Sequence, residues 1–148
     1  MKILRAALSF LTLAISSSIL YAQSDEDKRG IEEAALNYVE GFYTNDSIRL
    51  AKGLHKDLVK RIIDNRTGKS KIQTIGLKEL VSYTKAGQKM PDSNPKENFK
   101  ANVTIYDISK GIAIAKVTTN KMPMFFDYMQ LGKIDGIWQV INVLWAFN

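Results

Sequence analysis

No cysteine occurs in the chain, and His55 is its only histidine. Without thiols there is no disulfide, no thiolate metal site, no thiol nucleophile and no cysteine for lipid attachment. A single imidazole cannot supply a histidine-based metal site. Proline is scarce, at three residues, and no repeat, low-complexity run or Pro/Gly-rich linker divides the chain. Glycine-rich phosphate loops and nucleophile motifs are missing too. The sequence therefore implies no cofactor and no metal. Basic residues exceed acidic ones by 21 to 15. The longest basic stretch, Lys56, Lys60, Arg61, Arg66, Lys69 and Lys71, is offset by Asp57 and Asp64 and lacks interleaved aromatic residues. It reads as a solvated strand-and-turn face, with no nucleic-acid partner expected.

What is present begins with an address. Lys2 and Arg5 precede an uncharged, apolar run from Ala6 to Leu20, and the small Ala22 follows. A basic start, a run of about 15 apolar residues and a small exit residue make a secretory signal peptide; a spanning helix needs about 20. We expect residues 1–22 to be removed, with export to the periplasm or the medium and no stable membrane insertion afterwards. Lys2 and Arg5 leave with the signal, so the net charge falls from +6 to +4.

Residues 23–148 read as one α+β domain, helical first and strand-like afterwards. Ser24 to Asp27 supplies cap-type and acidic residues where a helix dipole favours them. Ile31, Ala35, Tyr38, Val39 and Phe42 follow at helical spacing. Thr44-Asn45-Asp46 breaks that helix and caps a short second one ending near Gly53. A strand is predicted from Leu58 to Ile63, and a third helix from Leu77 to Ala86, stopped by Gly87. Four strands close the chain: Phe99 to Ile105, Ile112 to Thr119, Met124 to Lys133 with Pro123 at its start, and Ile137 to Ala146. Asp135-Gly136 is the strongest hairpin signal. Helices followed by a meander predict a helical layer on one face of a curved sheet.

Three strings carry a family resemblance. They are Asn37-Tyr38-Val39-Glu40-Gly41-Phe42-Tyr43, Leu54-His55-Lys56-Asp57-Leu58-Val59-Lys60-Arg61, and Tyr128 through Lys133-Ile134-Asp135-Gly136-Ile137-Trp138 to Asn142-Val143-Leu144-Trp145. They resemble the nuclear-transport-factor-2-like superfamily, in the branch described as putative lumazine-binding, with SnoaL-like relatives. The resemblance implies a cone-shaped, cystatin-like fold, with three N-terminal helices on a curved, mainly antiparallel sheet. It also implies a conical pocket and frequent dimerisation. The residues placed to line such a pocket are Tyr38, Phe42, His55, Tyr128 and Trp145.

The candidates for chemistry are His55, Asp57, Tyr38 and Asp127. His55 is the only side chain that titrates near neutrality when unperturbed, and Asp57 shares its face if the stretch is extended. Alternatively His55 ends the short helix and hydrogen-bonds carbonyls there, which is the commoner arrangement. The Tyr38 hydroxyl either donates into a pocket or sits at the rim of the core. Asp127, between Phe126 and Tyr128, acts as an acid if it faces an apolar pocket. An alternating strand predicts it toward solvent instead. Trp138 and Trp145 are an odd number of residues apart, which puts them on opposite faces of a regular strand. Apolar residues on both faces of the last two strands call for a second cover beyond the helices, and a homodimer is the simplest. Three functions follow in order of preference: a non-catalytic exported domain binding a small, partly aromatic molecule; an enzyme of the polyketide-cyclase or ketosteroid-isomerase kind, with His55 or Asp57 as base and Tyr38 as donor; and a dimeric structural module.

Overall fold

In the computed structural model, residues 25–87, 99–120 and 126–146 are described. The expected signal peptide, Pro123, Met124 and Phe125 lie outside them. Helix α1 covers residues 25–43. Its stripe of Ile31, Ala34, Ala35, Tyr38, Val39 and Tyr43 is buried. Asn45 takes a left-handed φ of 58° that ends the helix. Asp46 then starts α2 (Ser47–Gly53), its Oδ1 accepting from the backbone N–H of Ile48 at 3.1 Å and Arg49 at 2.9 Å. That carboxylate satisfies two otherwise orphaned donors. Asp46→Ala is expected to cost about 1 kcal/mol, and Asp46→Asn much less. The urea midpoints of the two variants check this.

Strand β1 (Leu54–Asp64) leaves α2 without a loop and begins four residues earlier than its apolar run predicts. It turns into β2 (Lys71–Gly76), which the sequence does not announce. Four of its six residues are exposed and only Ile75 is buried, so an edge strand of this kind carries almost no apolar alternation. Helix α3 (Leu77–Ala86) follows where expected, with Glu79 accepting from the Gly76 N–H at 3.0 Å. The meander is β3 (Ala101–Ser109), β4 (Ile112–Thr119), β5 (Phe126–Ile134) and β6 (Ile137–Ala146). Lys110-Gly111 and Asp135-Gly136 turn it with paired positive φ values, the type I′ geometry that suits strand twist.

The sheet order is β2-β1-β6-β5-β4-β3. The last strand is inserted beside the first, so β1 and β6 are parallel and every other pair is antiparallel. The inner face, with Ala113, Ala115, Val117, Met129, Leu131, Val140 and Val143, joins the helices in one core.

One expectation is corrected. Trp138 and Trp145 lie on the same face. Leu131 pairs with Val140 and Gln130 with Asn142, so Ile141 is an extra residue in β6. A bulge of one residue inverts the alternation beyond it. Trp138 and Val140 face inward before it, and Val143 and Trp145 face inward after it.

Candidate functional site

The inner face holds a charged array. Lys60 and Asp127 are buried, at 6% and 0% exposure, and Tyr38 of α1 meets them at 2%. The Lys60 Nζ donates to both Asp127 oxygens at 3.1 Å and to the Tyr38 hydroxyl oxygen at 2.6 Å. The Tyr38 hydroxyl donates in turn to Asp127 Oδ2 at 2.6 Å. Burial, reinforced by the carboxylate of Asp127, pushes the Tyr38 phenol well above its ordinary range. It therefore keeps its proton and serves as a donor.

Local structure explains the convergence. Tyr38 is on the buried stripe of α1. Lys60 lies between Leu58 and Ile62 on the inward side of β1, opposite Val143 of β6. Asp127 alternates with Met129 and Leu131 on the inward side of β5. The lysine stem spans diagonally across β6, and its ammonium lies 5.4 Å from the Tyr38 ring centre and 5.5 Å from that of Trp145. Both distances suit a cation–π contact. Trp145 is half-buried, as is Phe42, one helical turn beyond Tyr38. Phe42 meets Tyr43 edge-on at 5.7 Å, and Tyr43 leans on Phe99 at 4.6 Å.

The expectation that Asp127 faces solvent is thus overturned, because Met129 and Leu131 draw its side of β5 into the core. Tyr38 and Trp145 join it there. His55 and Asp57 do not. They stand five and three residues before Lys60 on β1, roughly 15 and 10 Å along a strand. The His55 Nδ1 accepts from the Asp57 N–H at 3.2 Å, where a donor to helix-end carbonyls was the expectation. The Asp57 carboxylate is exposed and paired with Lys56 at 2.7 Å, which lowers its pKa. Tyr128 lies on the outer face, adjoining a groove of about 340 Å³ with Arg61, Ile114 and Leu144.

A second groove, of about 640 Å³, separates α1 from the β5–β6 turn and is lined by Gly30, Asn37, Lys133 and Trp138. Beside it Asp27 accepts from Lys133 at 2.7 Å and from the Trp138 indole at 2.9 Å, and these bonds lower its pKa. None of the five residues predicted to line a pocket borders this groove. Among the described residues no group of His, Asp or Glu is placed to hold a metal ion. No helix among them is long and apolar enough to cross a membrane.

Comparison with protein families gives a match to the model described as putative lumazine-binding, over residues 26–146. The chain belongs to the putative lumazine-binding family. This match spans α1 to β6, so every residue of the array is inside the family domain. No curated protein sequence matches the chain. Solved structures share the fold. A nuclear-transport-factor-2-like protein of unknown function from Shewanella baltica OS155 is 21% identical, with 80% of this chain and 91% of that one covered and a TM-score of 0.64. Another protein of unknown function, from Methylobacillus flagellatus KT, is 23% identical, with 83% and 93% covered and a TM-score of 0.62. A third, from Novosphingobium aromaticivorans and described as having a cystatin-like fold, is 13% identical, with 89% and 88% covered and a TM-score of 0.60. At these identities the likeness speaks to the fold alone. The chain is a putative lumazine-binding domain with the nuclear-transport-factor-2-like fold.

Lys60 is the site residue that sequence reasoning missed. Its signal is the alternation of Leu58, Lys60 and Ile62, which sets a lysine among inward-facing apolar residues.

Proposed function

We propose that the chain is an exported, non-catalytic domain that binds a small, partly aromatic molecule on the inner side of its sheet, and that it works as a homodimer. In this reading Lys60, Asp127 and Tyr38 form the polar floor of the site, and the half-buried Phe42 and Trp145 form its aromatic walls. The observation that carries it is the buried array. Taking two charges out of water costs several kcal/mol each, and apolar residues of similar volume would stabilise such a core at least as well. Charge kept there, beside two aromatic rings that remain partly open, marks a place for recognition. The family description suggests a pteridine-like ring. Stacking against Trp145 would suit a flat heterocycle.

The non-catalytic part of the reading rests on separation. Acid–base turnover needs its base within hydrogen-bond reach of the reacting group, alongside the charge-stabilising donor. His55 and Asp57 stand far along β1 from Tyr38. Export rests on the composition of residues 1–22. The homodimer rests on the outer face, where Tyr106, Ile112, Ile114, Tyr128 and Leu144 are all more than 40% exposed.

Mass spectrometry of the protein released from its native host should find a small aromatic molecule bound. Equilibrium dialysis with lumazine should then show saturable binding. Trp145→Ala should weaken it about tenfold or more, given 1–3 kcal/mol for stacking on one aromatic ring. No copurifying molecule together with no saturable binding defeats the proposal. Turnover of a bound compound that stops in Asp127→Asn replaces it with the enzyme reading.

A further inference from the structure

We infer that the outer sheet face is completed by a second copy of this chain, and that Arg61 and Asp107 form the ion pairs that fix its register. This deepens the homodimer reading and rests on it.

The sheet register supplies the geometry. One outward row runs Thr104, Lys116, Tyr128, Leu144, Arg61 from β3 to β1. The next runs Asp107, Ile114, Gln130, Asn142, Val59. The middle of the face is apolar and aromatic. Tyr106, the extra residue of a bulge in β3, stacks on Tyr128 at 6.4 Å, and Tyr128 meets Phe126 at 5.5 Å. The ammonium of Lys116 is already placed over Phe126 and Tyr128, at 4.9 and 5.4 Å. Gln130 and Asn142 satisfy each other at 3.0 Å.

Two charges on this face are left over. Arg61 and Asp107 are exposed, and neither takes part in an ion pair or side-chain hydrogen bond among the described residues. They have opposite sign and lie on β1 and β3, each two strands from β5, or about 10 Å to either side. A two-fold axis in the interface, running along β5, exchanges the two sides. It carries Asp107 of one copy over β1 of the other, one row from Arg61, which is within reach of a long arginine side chain. Isologous contact repeats every pair, so two such bridges form, one at each flank of the apolar centre. An unrelated partner would need its own acid and base at the same separation. A second copy brings them by symmetry.

The test is charge exchange, read by sedimentation equilibrium across micromolar concentrations. Wild type should be dimeric. Arg61→Asp and Asp107→Arg should each weaken dimerisation about tenfold or more, and the two together should restore it. Tyr128→Glu, in the centre, should give a folded monomer. A monomeric wild type overturns the dimer reading itself. If Tyr128→Glu splits the dimer but the single reversals change nothing, or the double variant is weaker than either, the dimer stands and the Arg61–Asp107 pairing is wrong.

Discussion

Asp127→Asn is expected to destabilise the domain by about 3–5 kcal/mol, against a total of about 5–15 for a domain of this kind. The side chain keeps its shape, so the loss is electrostatic. The Lys60 ammonium, at 6% exposure, would keep its charge with no carboxylate to offset it. The Tyr38 hydroxyl would also exchange a charged acceptor for a neutral one. Lys60→Met should cost a similar amount, since it strands the carboxylate instead. The informative variant removes both charges. Lys60→Met with Asp127→Leu leaves no uncompensated charge, and should be more stable than either single variant. Tyr38→Phe alone should cost less, about 1.5–3 kcal/mol, because it removes hydrogen bonds to charged groups but leaves the ion pair intact. Urea unfolding of these variants checks the order. Single replacements costing under about 1 kcal/mol would mean that water reaches the array. A folded double variant also separates stability from recognition. On the proposed function it keeps the fold and loses lumazine.

The array shows how far the sequence could be read. The elements were legible where local chemistry is strong. Gly87 stops α3, Asp46 caps α2, and Asp135-Gly136 turns the last hairpin. The site was legible in part. Tyr38 stood on a helical stripe whose period fixes its direction. Asp127 stood on a strand with apolar residues at both parities, Phe126 and Tyr128 against Met129 and Leu131. Only the packing of the helices decides which set goes inward. Lys60 was hidden by the same ambiguity. In Leu58 to Ile63 each face of β1 receives two apolar residues and one cation, Lys60 on one and Arg61 on the other. Nothing local says which cation is buried. The paired tryptophans were misplaced because a bulge at Ile141 has no signature in the sequence, and a single extra residue reverses every later side chain. Weak alternation hid β2 for a different reason. An edge strand exposed on both faces has no periodicity to detect.

Gly53→Ala is expected to lower stability by about 2 kcal/mol or more, although helix propensity alone predicts the opposite. Alanine in place of glycine in a helix is worth up to about 1 kcal/mol in its favour. Gly53, however, is buried at the end of α2, where that helix crosses α1. A methyl group there would fall against the carbonyl oxygen of Ala34, 2.8 Å from the Tyr38 nitrogen and 3.1 Å from the Asn37 Cβ. The first two are backbone atoms of α1. Neither can rotate away, so the helices must move apart. Overfilling a packed site costs about 1–3 kcal/mol and sometimes more, and rigid neighbours put this case at the upper end. Gly41 meets the same obstacle from the other helix, facing the Leu50 backbone. Gly76 is the control. Its φ of −93° suits any residue, and an added Cβ would meet only Leu58 O, at an ordinary 3.8 Å. Gly76→Ala should therefore cost under about 1 kcal/mol, the loss of a preferred cap residue. The displacement in Gly53→Ala also falls on the segment of α1 that carries Tyr38. Its hydroxyl bonds to Lys60 and Asp127 are both 2.6 Å and leave little slack. Lumazine binding should weaken along with the urea midpoint. Unchanged stability in Gly53→Ala would mean that the two helices cross less tightly than their glycines require.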